Sequence, residues 1–407
     1  MPMNQKITNL IAKPLQGISS SLARQLVGNV RYNPDVISMA GEVTTAELYD
    51  VDGVHTAIQC SLDAPTKDFG YGLTEGLLGT REAILPFAKK HWGIDASANE
   101  VIITSGAQQA LHIASRILTD PGDTIAIADA AYLLAMQTFQ ISHARMLTIA
   151  SDEEGIIPDA LEQHLKQQRI KALYVVSNNA NPTGITLSLE RRRRLIVLAD
   201  LYDFIIIEDD PYCALRFDGQ VLPSIYTLAS QMGLGQRVLF LGSFSTTFIP
   251  SLRLGVLIAK DPLYQAAVIM KQYLDINSSC LSQKALEQYL NSGRIDAQIN
   301  RLRHTYHQRC SALTKAIDEH LSDHLTYHLP DGGVFLWARL KQSINALELL
   351  PYAIKEKLIF IPGATFYTNK PCFSTLRFCY SSVPADQMEE AMLRLGRALK
   401  QYMADHF

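Results

Sequence analysis

The chain is short of the features that would place it outside the ordinary globular class. No stretch approaches the ~18 consecutive apolar residues of a membrane-spanning helix. The first thirty residues, MPMNQKITNLIAKPLQGISSSLARQLVGNV, hold basic side chains but no unbroken apolar segment of signal-peptide type. These two absences place the protein in the cytoplasm, with no membrane partner. Cysteine is scarce: six in 407 residues, with no CxxC pair and no zinc-like spacing to histidines. No metal is expected, and the thiols are read as reduced, small apolar fillers. An excess of one charge is missing too. The 37 basic and 40 acidic residues leave a net charge of −3, which gives no electrostatic footprint for nucleic acid. The one basic block, Arg191 to Arg194, lies in the helical pattern LSLERRRRLIVLADLY and reads as a solvated helix face. There is no low-complexity tract and no internal repeat.

What is present is a large apolar fraction, 47% of the chain, enough for a full core in two domains. VIITS, TIAIAD, ALYVVS, FIIIED and VLFLGSF are β-rich runs of strand length, separated by helix-period stretches such as QQALHIASRILTD. That alternation predicts an α/β fold with a mostly parallel, helix-covered sheet. Residues 51–290 are assigned to this large domain. Residues 291–407, with long helical segments and short strands around GGVFLWARL and TLRFCYSS, form a smaller α+β domain, which an N-terminal arm within 1–50 joins.

In parallel sheets of this kind, ligands bind beyond the carboxyl ends of the strands. Several polar groups stand there. Ser105-Gly106-Ala107-Gln108 links a strand to a helix, where small residues let backbone amides approach an anion; such turns also serve geometry alone. Asp209 ends an apolar strand with Tyr212 three residues on, which suits either a ligand contact or a plain Asp-Asp-Pro turn. Asn181-Pro182-Thr183-Gly184 is turn chemistry that can also aim an amide at a ligand. His112, on the helix after the first turn, reads as a packed or surface histidine.

The order of SGAQQ, DAAY, NANPTG, EDDPY, SFS and LRLG decides between these readings. It resembles the class I/II aminotransferases, fold type I pyridoxal-phosphate enzymes, and within them the kynurenine/α-aminoadipate branch and the enzyme-like half of MocR-type regulators. The resemblance runs from ISMAGE near residue 37 through FGYGLTEG to LRFCYSS near 382. It implies that Gly106, Ala107, Gln108, Ser243, Ser245 and Arg253 hold the phosphate of pyridoxal or pyridoxamine 5′-phosphate. Tyr132 would stack on the ring, Asp209 would pair with the ring nitrogen, and Tyr212 and Asn181 would meet the 3′-oxygen. Arg377, with Asn181 and Gly41 alongside, would receive the carboxylate of an amino or oxo acid. Tyr71 would reach the phosphate of a neighbouring subunit, which implies a homodimer with sites at its interface. A MocR regulator carries a DNA-binding domain ahead of this fold; with the first motif near residue 37, none is expected.

One residue departs sharply from the pattern. In GSFSTTFIPSLRLG, Thr246 stands where the family has the lysine that tethers the cofactor and moves the substrate proton. A hydroxyl is too weak a base for that step, and losing such help costs ~10²–10⁴ in rate. Glu42 stands where Gly-Gly-x-Pro is usual, Ala180 where Gln or His is frequent, and Ala130 where Pro precedes the stacking tyrosine. Ring and phosphate positions are kept while substrate-side positions change. The reading is a non-covalently held cofactor and a lysine-independent reaction, with Glu42, Tyr71 and Tyr132 as candidate bases. A ligand-binding protein without turnover is the alternative; an engineered Lys-to-Thr change at 246 in an ordinary aminotransferase is another.

Overall fold

The computed structural model describes residues 10–12, 15, 35–41, 46–63, 70–342 and 344–406. Seven strands form the main sheet: β1 (Val101–Thr104), β2 (Thr124–Ala128), β3 (Arg145–Ile149), β4 (Ala172–Val176), β5 (Ile205–Asp209), β6 (Val238–Ser243) and β7 (Gly255–Ile258). Their spatial order is β1-β7-β6-β5-β4-β2-β3. β7 runs antiparallel to both neighbours, and every other pairing is parallel. The five predicted runs are all strands. β3, a half-exposed edge, and β7, a four-residue run behind the LRLG motif, lay outside that reading.

The strands are apolar almost throughout because helices cover both faces. Ile102, Ile125, Ile127, Ile207, Leu239 and Leu257 pack on one side with helices α1 (Ala107–Leu118), α2 (Leu133–Ile141) and, through Ala267, α4 (Leu263–Asp275). Their sequence neighbours Ile103, Ala126, Ile206, Val238 and Val256 point the other way, into a core shared with Trp92, Phe87 and helix α3 (Leu189–Leu201). A second, antiparallel sheet joins Leu325–Tyr327, Phe335–Leu340, Thr375–Cys379 and Ile361–Pro362 in that order. It packs with helices α5 (Arg294–His320) and α6 (Met388–His406). Ile37–Ser38 pairs parallel with Leu358–Ile359, and Ile37, Met39 and Ala40 pack into this second layer. α5 belongs to both cores: Ile295 and Ile299 pack under the large sheet, Leu302 and Tyr306 under the small one.

Candidate active site

The carboxyl ends of β1, β4, β5 and β6 open on one side of the sheet. Because β7 is reversed, it starts where they stop, and Gly255 lies opposite both Thr104 and Ser243. That register sets the turn after β1 beside the loop after β6. Gly255 is needed there, since a Cβ on it would come 2.6 Å from the Ala107 amide. Gly106 has φ +83°, and a Cβ on it would stand 2.5 Å from Nη2 of Arg253. The amides of Ala107 and Gln108, first in α1, have no intrahelical acceptor and face the helix entrance. The Gln108 side chain donates to Thr138 Oγ1 at 2.9 Å, so its backbone amide, not its carboxamide, belongs to this cup. Arg253 Nη1 donates to Ser245 Oγ at 3.3 Å, and Ser245 N donates to Ser243 Oγ at 3.2 Å.

Three consecutive carboxyls end β5, and all are buried. Glu208 accepts from the amides of Ile225 and Tyr226 at 2.8 and 2.9 Å. Asp210 accepts from Ser177 Oγ at 3.1 Å, from Asn178 Nδ2 and from Cys213 N. Both are structural anchors. Asp209 differs. Its Oδ2 accepts from the Tyr174 hydroxyl at 2.7 Å, while Oδ1 is buried with no hydrogen-bond partner among the described residues. Burial pushes the Asp209 carboxyl up to about 6, with the Tyr174 hydrogen bond pulling the other way. A buried acceptor left open carries a penalty of ~1–3 kcal/mol. An N–H or other donor arriving in the cleft would remove it.

The other predicted residues divide between buried and exposed positions. Tyr212 is buried edge-on against Phe335, ring centres 5.6 Å apart. Arg377 is 0% exposed; Nη1 donates to Asn181 Oδ1 at 2.8 Å and Nη2 to the Ala40 carbonyl at 3.2 Å. Its guanidinium lies over the rings of Phe335 and Phe366, 4.3 and 5.0 Å from their centres. Gly41 is half-buried beside Ser382. Tyr132 is half-buried at the start of α2, after Ala131, whose amide donates to the Phe366 carbonyl at 2.9 Å. Thr246 Oγ1 donates to the Pro211 carbonyl at 2.7 Å, so its proton is committed to the loop beyond Asp209. Tyr71 is 90% exposed and projects from the surface. Glu42 lies outside the described residues. His112 is half-buried on α1, its pKa lowered by burial and by Arg116.

The basic block needs correction. Arg191 pairs with Asp152 and Arg194 with Glu162, each at 2.6 Å, but Arg192 is fully buried rather than solvated. Its guanidinium donates to the carbonyls of Leu187, Pro223 and Ser177 and to Asn178 Oδ1, at 2.7–3.0 Å. It therefore braces the turn that carries Asn181. The signal was available: Arg192, Leu195, Ile196 and Ala199 fall at i, i+3, i+4 and i+7, one helix face. Among the described residues, no cluster of three or more His, Cys, Asp or Glu suits a metal ion.

A helix-covered, mostly parallel sheet with these groups at its carboxyl edge defines a fold type I pyridoxal-phosphate protein. The structure of Pyrococcus horikoshii kynurenine aminotransferase, solved with PMP, superimposes with a TM-score of 0.90 over 98% of both chains at 29% identity. The model of aminotransferase class I and II matches residues 41–395. The chain belongs to that family. It is 31% identical to aromatic-amino-acid aminotransferase 1 of Thermococcus litoralis, covering 95% of this chain and 93% of the relative. It is also 31% identical to 2-aminoadipate transaminase of Thermus thermophilus, covering 95% and 96%.

Proposed function

We infer that the protein binds pyridoxal or pyridoxamine 5′-phosphate without a covalent tether and acts on an amino acid or oxo acid by a lysine-independent route. The observation that carries this reading is the open Oδ1 of Asp209, a buried acceptor aligned with the role of meeting a protonated ring nitrogen. The cup of Gly106, Ala107, Gln108, Ser243, Ser245 and Arg253 supports it, since its close backbone approach and guanidinium fit a phosphate. When bound, the cofactor ring supplies an electron sink for charge developing at the substrate Cα.

The chain's own residues do the rest. Asp209 Oδ1 takes the ring N–H, and its burial strengthens that contact. Tyr212 and Asn181 would hold the 3′-oxygen, and Tyr132 would lie against the ring. Arg377 receives the substrate carboxylate, with Asn181 and Gly41 shaping the place. Thr246 offers no tether, and a candidate base comes from Glu42, Tyr132 or the partner subunit's Tyr71. The working protein is a cytoplasmic homodimer with its two sites at the subunit interface and no nucleic-acid partner.

A second reading is favoured by one contact. The Thr246 hydroxyl is engaged by Pro211, which leaves the position inert and suits a ligand-binding protein without turnover. The visible absorption spectrum of the purified protein, before and after dialysis and borohydride, tests the first reading. Cofactor that dialysis removes and borohydride fails to fix is expected; covalent retention on any lysine refutes it. A product from an amine donor at a rate well above free pyridoxal phosphate excludes the second.

A further inference from the structure

Helix α4 carries a lysine where packing alone calls for an apolar residue. The Lys271 side chain is 0% exposed, one turn after Ala267, which packs against the large sheet. Removing an ammonium from water is costly, and a methionine would fill the same volume without that penalty. The lysine is held by one turn of its own helix: Nζ donates to Asp275 Oδ1 at 2.6 Å. The other Asp275 oxygen accepts from Gln109 Nε2 at 2.7 Å and lies 3.4 Å from Ser105 Oγ. Gln109 Oε1 in turn accepts from the Ser105 backbone amide at 2.7 Å. Ser278 Oγ, 3.4 Å from Ser105 Oγ, donates to the Ile103 carbonyl. A continuous chain of polar contacts thus runs from a buried ammonium to the residue immediately before Gly106.

The direction of each link matters. A carboxamide presents an acceptor at one end only, and an acceptor facing the Gln109 NH₂ favours the orientation in which Oε1 receives the Ser105 N–H. Asp275 is that acceptor, and Lys271 fixes Asp275. None of the three belongs to the set Gly106, Ala107, Gln108, Ser243, Ser245 and Arg253 assigned to the phosphate.

We propose that Lys271 is a positioning residue for the phosphate-binding turn: through Asp275 and Gln109 it sets Ser105 so that the Ala107 and Gln108 amides face the bound phosphate. This rests on the functional reading above and extends it to a residue outside the set assigned to the phosphate.

The test compares apoprotein titrated with pyridoxamine 5′-phosphate and with pyridoxamine, which lacks the phosphate, followed by quenching of intrinsic fluorescence. Lys271→Met is expected to weaken the phosphorylated vitamer about tenfold and leave the other within about twofold. Lys271→Arg should recover part of the loss. Gln109→Ala cuts the same chain without disturbing the buried ion pair, so it serves if Lys271→Met folds poorly; it should show the same selective loss. Unchanged affinity for the phosphorylated vitamer in Gln109→Ala, or equal loss of both vitamers in either variant, overturns the proposal. Wild-type protein that binds neither vitamer refutes the functional reading itself, a result separable from any variant's.

Discussion

Asp209 and Thr246 carry the two halves of the proposed reading, a cofactor held by polar contacts and not by a covalent tether. Asp209 gains from a bound cation, because its second oxygen is buried and without a hydrogen-bond partner among the described residues. Its carboxyl, pushed up to about 6, is largely neutral below that pH and charged above it. A ring N–H needs the charged form, so affinity for pyridoxamine 5′-phosphate should fall as pH drops from 7 to 5 and be flat above ~7. Asp209→Asn should bind ~10-fold or more weakly with that slope abolished; titration by fluorescence at each pH measures both. On the proposed reading, Thr246→Lys places an amine where the cofactor would be tethered. The expected outcome is cofactor that borohydride fixes to the chain, read by mass spectrometry of the reduced protein. The place of Asp209 at the end of an apolar run was legible, and it is the last residue of β5; Thr246 was singled out by resemblance alone. The hydrogen bond from Thr246 to Pro211 was not legible, because it joins loops distant in sequence.

At the scale of elements, the turn after β1 and the helix α3 behind the Asn181 turn bear the most strain and support. Gly106→Ala places a methyl against Arg253 at positive φ, which costs about 1–2 kcal/mol and closes the cup. Its unfolding midpoint in urea should fall, with a larger loss of phosphate affinity than of stability. Arg192→Met should be more damaging. It abandons three carbonyls and the Asn178 amide in a buried place, an effect on the order of 3 kcal/mol, read as a lower urea midpoint with unchanged slope. The central strands were legible because burial on both faces writes an uninterrupted apolar run. β3 was not, since RMLTI at the sheet edge is mixed and half-exposed. Arg192 was misread because charge was weighed ahead of its place on the apolar face of α3.

For the whole molecule, the exposed apolar surface points to assembly. Tyr71, Leu73, Tyr273, Ile276 and Leu281 are all exposed, and Tyr71 and Leu281 line one cleft together with Asp275. Apolar groups gathered this way mark an interaction face. Sedimentation should give a dimer, and Tyr273→Lys should shift it toward monomer. Cofactor affinity should fall with it if, as proposed, Tyr71 reaches the phosphate of a neighbouring subunit.

The reversed strand β7 has a consequence for any attempt to change this chemistry. Zipped to a neighbour on either flank, it clamps the start and finish of the loop that bears both Thr246 and Arg253. Lengthening that loop by a single residue would displace anchor and anion grip together, whereas swapping one side chain leaves its frame untouched. On the proposed reading, a switch between tethered and untethered ligand would therefore need a change at Thr246 alone, without any redesign of the backbone.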